Sequence, residues 1–375
     1  MRRIEQPAAT GSRHGGSEAD VANLDRINLL NVALMLASCA AALRLPFELF
    51  LFSYVLLGPL HYLTEIAWLH SRGYFTTGRR DYVVLGALCV CLAVINFVPL
   101  GLRDPNYWGT TVMIAAFAAA LVMALVANPY AKIATFATAL VVAASLGDVR
   151  SMQVWFVVFL PTIVHVYLFT GAFILFGALK SRSASGIASL AVFAGCTAAL
   201  FVFPATATPG GVGVGIRQHY QSFSGVNLHL SAWLPLPALR DVNEVYTTAT
   251  GVLLMRLIAF SYTYHYLNWF SKTSVIQWHK IPRPWAVVNL GLWTAALGLY
   301  AWDYTTALKV LFMLSFLHVF LEFPLDHRTF VAIARELGTM VRPPRLTPAP
   351  VLPASPRRQR ANGRARRPDR AAGRH

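Results

Sequence analysis

Residues 152–179 read MQVWFVVFLPTIVHVYLFTGAFILFGAL and contain no Asp, Glu, Lys or Arg. A helix needs ~20 residues at ~1.5 Å each to cross the ~30 Å hydrocarbon layer of a bilayer. This run has that length to spare. No water is present in hydrocarbon to satisfy stray backbone groups, so the segment has to be helical. Runs of the same kind recur at 27–44, 47–70, 82–101, 108–128, 130–147, 184–206, 247–270, 285–302 and 305–325. The division between 108–128 and 130–147 rests on the turn signal Asn128-Pro129. Composition agrees: 56% of the chain is hydrophobic and 13% charged, where soluble domains carry ~25% charge. The expected fold is all-α, a polytopic transmembrane helical bundle of about ten spans.

Charge sets the expected orientation. With the N-terminus inside, the inner loops hold Arg72, Arg79 and Arg80, then Lys132, Lys180 and Arg182, then Lys272, Lys280 and Arg283. The outer loops hold Arg44, Arg103, Arg150, Arg217 and Arg240, spread over more residues. By the positive-inside rule both ends are cytosolic, in a bacterial inner membrane. Residues 1–26 then form a cytosolic tail, 207–246 an outer loop, 326–341 an interfacial segment and 342–375 a disordered basic tail. That last segment has ten arginines against the single acid Asp369. It is read as facing anionic lipid heads, with no nucleic-acid partner. No cleaved signal peptide is expected, because the first apolar run follows a polar stretch. The glycines from Gly210 to Gly215 lack the Lys-Ser/Thr ending of a phosphate loop and suggest a flexible or re-entrant outer loop. Cys39, Cys89, Cys91 and Cys196 lie in apolar runs and read as small buried hydrophobes.

One short pattern recurs. The second span contains His61, Glu65 and His70; the tenth and its exit contain His318, Glu322 and His327. Both are a histidine, a glutamate four residues on, and a histidine five further. Residues four apart share one helix face, so each His–Glu pair aims two ligand-type groups at one place. The third histidine returns to that face only where the helix stops, a role open to Ser71-Arg72-Gly73 and to Pro324. A carboxylate in hydrocarbon costs ~2.5 kcal/mol or more and is usually paired or functional. At ~1.5 Å per residue, His61, His265 and His318 lie within ~6 Å of a common depth. His165 is mid-span, and His70, His279 and His327 fall at the same membrane face or in the adjoining loop.

Imidazole with carboxylate, and no thiolate, suits non-haem iron or zinc. The candidate ligands are His61, Glu65, His165, His265, His318 and Glu322, with His70, His279 and His327 beside them. They exceed what one tetrahedral zinc uses, so one or two iron ions match better. Tyr262, Tyr266 and Asn268 flank His265 and are candidates to orient it; an aromatic belt at the interface is the plainer account of the tyrosines. Arg256, costly within a span, has to pair, face water or meet backbone carbonyls. The expected function is a membrane-embedded iron oxygenase using dioxygen, with an electron donor possible, on a lipophilic substrate that enters from the bilayer. Alternatives are a proton-coupled transporter using the His–Glu pairs, or a membrane assembly protein without chemistry.

The segments Leu57-Gly58-Pro59-Leu60-His61-Tyr62-Leu63-Thr64-Glu65 and Tyr264-His265-Tyr266-Leu267-Asn268-Trp269 resemble those of the Brp/Blh-like β-carotene dioxygenases. The resemblance covers about a fifth of the chain. It implies an iron-dependent membrane enzyme with intramembrane histidine ligands, here His61, His265 and His318, acting on a carotenoid. The glutamates one turn after two of the histidines, the extra spans and the long outer loop depart from that family's pattern.

Overall fold

A computed structural model describes residues 18–102, 104–205, 212–272 and 282–341. Each expected span is a helix: α1 (Glu18–Arg44), α2 (Pro46–Ser71), α3 (Tyr82–Phe97), α4 (Pro105–Leu125), α5 (Pro129–Leu146), α6 (Arg150–Ser181) and α7 (Ala184–Val202). After the outer segment, with its short helices α8 (Val214–Tyr220) and α9 (Ser224–Trp233), come α10 (Ala249–Ser271), α11 (Arg283–Trp302) and α12 (Tyr304–Val341). Among the described residues eight helices are long and apolar enough to cross a membrane. The other two long ones are α3, which is short, and α10, whose polar side chains lower its hydropathy. Large apolar residues such as Leu29, Val90, Ile133, Val141 and Val288 point outward. Such a surface suits lipid and not water.

Local chemistry sets the helix ends. Asp104 accepts hydrogen bonds from the amides of Asn106 and Tyr107, and Asn128 from those of Tyr130 and Ala131. Each is followed by a proline at the first helical position, the most favourable start for a helix. Asn128-Pro129 therefore does separate two antiparallel helices. Ser183 caps α7 and Thr248 caps α10 in the same way.

The centre of the bundle is α2, α6, α10 and α12. Helix α10 is buried on nearly every side, from Gly251 to Trp269. Helices α1 and α7 pack on one flank of it, while α3, α4 and α11 lean on α12. Two central helices contain wide, π-type turns: Ser53–Leu57 in α2 and Val154–Phe169 in α6. Prolines account for their position. Pro59 follows the first and Pro161 lies in the second, and a proline within a helix lacks an amide and crowds the preceding turn. His61 sits just beyond the first of these widened stretches, and His165 lies within the second.

One expectation is corrected, the end of the tenth span. Helix α12 does not end at Leu325 but runs through Pro324 to Val341. A proline costs a helix interior ~3 kcal/mol. Burial of apolar side chains such as Phe323 and Ile333 against the bundle offsets that and keeps the helix going. The described part of the outer segment is folded onto the bundle. Tyr220 is fully buried there, edge-on to Phe47 and Phe50 at 5.3 and 5.2 Å. Gly210 and Gly211 of the glycine run, and the disordered tail expected at 342–375, lie outside the described residues, while Gly213 precedes α8 and Gly215 lies in its first turn. Arg256 meets backbone: it donates to the carbonyls of Phe203 and Pro204 at 3.0 and 3.2 Å. These lie at the C-terminal end of α7, where helix carbonyls lack partners and the helix dipole is negative.

Candidate metal centre

Four histidines from the four central helices form a closed ring. His61 (α2) lies 4.7 Å from His265 (α10), His265 lies 4.9 Å from His165 (α6), His165 5.1 Å from His318 (α12), and His318 5.4 Å from His61, between ring centroids. All four are at least nine-tenths buried. His61 Nε2 and His265 Nε2 are 3.0 Å apart; His318 Nε2 and His165 Nε2 are 3.3 Å apart. Two nitrogens on one ion at metal–ligand bonds of ~2 Å are at most ~4 Å apart, so each pair is already within reach of a shared ion.

The glutamates close the ring. Glu65 Oε2 lies 3.1 Å from His61 Nε2, and Glu322 Oε2 3.5 Å from His165 Nδ1. Neither approach has hydrogen-bond geometry, and both oxygens are buried without a hydrogen-bond partner. So are Nδ1 of His61 and of His165. Buried polar atoms are ordinarily satisfied, and unpartnered glutamate oxygens beside histidine nitrogens are a donor set that a cation would satisfy. Two overlapping triads, His61–His265–His318 and His165–His318–Glu322, have ligand atoms that all lie within 4.8 Å of one another. These groups can hold a metal ion.

One tautomer can be worked out. The Thr170 hydroxyl donates to the carbonyl of Val166 at 2.9 Å, one turn back in α6. Its proton is thereby committed, so Thr170 Oγ1 accepts from His265 Nδ1, also at 2.9 Å. With its proton on Nδ1, His265 turns a bare Nε2 lone pair toward the centre, the form a metal ligand requires.

The other candidates divide. Tyr266 touches the centre: its ring is 5.2 Å from that of His61, and its hydroxyl bonds to Tyr62 at 2.9 Å. Tyr262 packs instead on Phe50, and Asn268 accepts from Tyr264, without contact to a histidine. His70 is exposed and pairs with Tyr74 at 3.2 Å, because α2 stops at Ser71 and its exit turn leads away from the core. His327 meets the carbonyl of Phe117 at 3.0 Å, because α12 stays helical and keeps that ring on the face toward α4. His279 lies outside the described residues.

Three contributors were not anticipated. Thr170 is one. Tyr62 is another; it stacks on His318 at 4.2 Å. The third is Asp326, 1% exposed, with neither carboxylate oxygen hydrogen-bonded. It interacts electrostatically with Glu65 and Glu322. Its signal was present in the sequence: His318, Glu322 and Asp326 are spaced four apart and share a face. Ending the helix at Leu325 hid it.

No family model, curated protein or solved structure matches this chain. Fold and site together define a membrane-embedded helical bundle with a buried histidine–carboxylate centre able to hold a metal ion.

Proposed function

We propose that the protein is a non-haem iron oxygenase of the bacterial inner membrane, with both termini cytosolic, acting on a lipophilic substrate such as a carotenoid or another lipid. The observation that carries this reading is the closed ring of four buried histidines with two unsatisfied glutamate oxygens facing it. The donor set is nitrogen and oxygen without sulfur. Its ligand number exceeds the four that zinc ordinarily takes and fits one or two iron ions. Bound iron would supply redox chemistry with dioxygen, with an electron donor as partner where the stoichiometry of the reaction calls for one.

The chain's own residues prepare that chemistry. Thr170 fixes the protonation of His265. Tyr62 holds the His318 ring flat against its own, and the linked Tyr62 and Tyr266 hydroxyls stand beside the His61 ring. Apolar helices exclude bulk water, which strengthens every charge interaction inside. A proton-coupled carrier is the second reading, favoured by the electrostatically linked carboxylates Glu65, Glu322 and Asp326. Metal analysis of the purified chain separates the two. The oxygenase requires stoichiometric iron, lost in His61→Ala and His318→Ala, together with oxygen uptake by membranes supplied with carotenoid, sterol or acyl substrates. Protein free of metal, or equal turnover without oxygen, would exclude it.

A further inference from the structure

A cavity of about 320 Å³ rises from the centre. His61, Glu65, His265 and Glu322 line its deep end. Its walls are largely apolar, with Met35, Ile174, Trp68 and Trp269 among them. Its other end is the rim where α6 and α10 stop and where α1 and α7 are near their starts. There Lys180, Ser181 and Lys272 line it, with Asn28 from α1. Lys180 and Ser181 are exposed, so the cavity grades from a buried floor to an open, basic mouth. At ~1.5 Å per residue, the mouth stands ~10 Å from the floor along α10, from His265 to Lys272, and ~15 Å along α6, from Thr170 to Lys180.

The charge at the mouth is one-sided. Among the described residues the carboxylates lining the cavity are Glu65 and Glu322, both at the deep end. Neither lysine forms an ion pair among the described residues; Lys180 has only the Phe176 ring, at 5.7 Å. Lys272, just past the end of α10, is held by burial down to about 8. Asp25, on α1 near the mouth, accepts a hydrogen bond from Ser185 at 2.5 Å and does not line the cavity.

We propose that this cavity binds an anionic amphiphile. Its apolar tail lies along the walls toward the four histidines, and its carboxylate or phosphate head lies at the mouth with Lys272 and Lys180. This deepens the oxygenase reading by naming the substrate class and an axial mouth at the helix ends, but the binding itself requires only the cavity. A neutral hydrocarbon would offer no counter-charge to the two ammonium groups, which form no ion pair among the described residues. An anionic head supplies one, and the tail buries apolar surface worth ~0.8 kcal/mol per methylene.

The test uses the full chain in nanodiscs of zwitterionic lipid. Quenching of tryptophan emission by chain-brominated dodecanoate, dodecyl phosphate and dodecanol reads binding, since Trp68 and Trp269 line the cavity. Either anion should bind at least about tenfold tighter than the alcohol, the tighter of the two identifying the head. Lys272→Met should weaken anion binding about tenfold, and Lys272→Arg should restore it, which guards against a folding artefact. Dodecanol binding as tightly as both anions, or Lys272→Met binding them unchanged, would overturn the proposal. Anion binding should survive in His318→Ala. Binding intact in a wild-type chain that holds no iron would therefore sink the metal centre while upholding the amphiphile site.

Discussion

Replacing Thr170 by valine removes one oxygen and little else. Valine has nearly the shape of threonine, and the site lies on α6 with the side chain fully buried. In the wild type the Thr170 hydroxyl donates to Val166 and accepts from His265 Nδ1, both at 2.9 Å. Without that acceptor the imidazole has two choices. It can keep its proton on Nδ1, unsatisfied and buried, at a cost of ~1–3 kcal/mol. Or it can move the proton to Nε2 and lose the lone pair that faces His61. Either way the ion is held less well. Loss of such an outer partner typically lowers metal affinity 10–100-fold, equivalent to ~1.4–2.8 kcal/mol, the same range as the desolvation cost. The assay is competition for iron against a chelator of known affinity, with thermal unfolding recorded beside it. Thr170→Ser should restore affinity. Thr197→Val is the matched control: Thr197, on α7, bonds to Tyr167 of α6 at 2.8 Å, a helix-to-helix contact of the same kind that involves no histidine. Unchanged iron affinity in Thr170→Val, or an equal loss in Thr197→Val, would refute the tautomer argument.

Asp326→Asn keeps size and removes charge; because neither oxygen has a hydrogen-bond partner, iron occupancy should fall several-fold by elemental analysis, while His70→Ala and His229→Ala leave it unchanged. Gly251→Ala would place a Cβ 2.2 Å from the Val245 carbonyl oxygen and 2.6 Å from that of Glu244. Backbone has to move, so a loss of ~1–3 kcal/mol is expected in thermal or denaturant unfolding; wild-type stability would show that the outer segment gives way freely. Reporter fusions after Gly73 and Ser183 should read cytosolic and one near Gln221 periplasmic, and a cytosolic signal at Gln221 would overturn the orientation drawn from the basic loops.

Apolar runs, with one turn signal, located ten helices, eight of them long and apolar enough to span among the described residues, because a span has to be long, apolar and helical whatever its neighbours are. Asn128-Pro129 marked a helix start for an equally local reason, since the cap and the proline act within one turn. The i, i+4 spacing of His61 with Glu65 and of His318 with Glu322 is likewise local, and it singled out two sides of the centre. Where residues outside the local turn decide, the sequence was silent or misleading. Pro324 is a local stop signal, yet packing carries α12 past it, and with it Asp326 into the core and His327 away toward α4. His165 and His265 show no ligand spacing of their own. Only the packing of α6 and α10 between α2 and α12 brings their rings within 5 Å of each other. Thr170 is 95 residues from the histidine it orients, and no periodicity links positions on two different helices. Composition and periodicity thus determined the helices and the faces that carry nitrogen and oxygen donors. The meeting of those faces at one buried point, and the cavity above it, were decided by tertiary packing, because contact across helices depends on their relative rotation and depth.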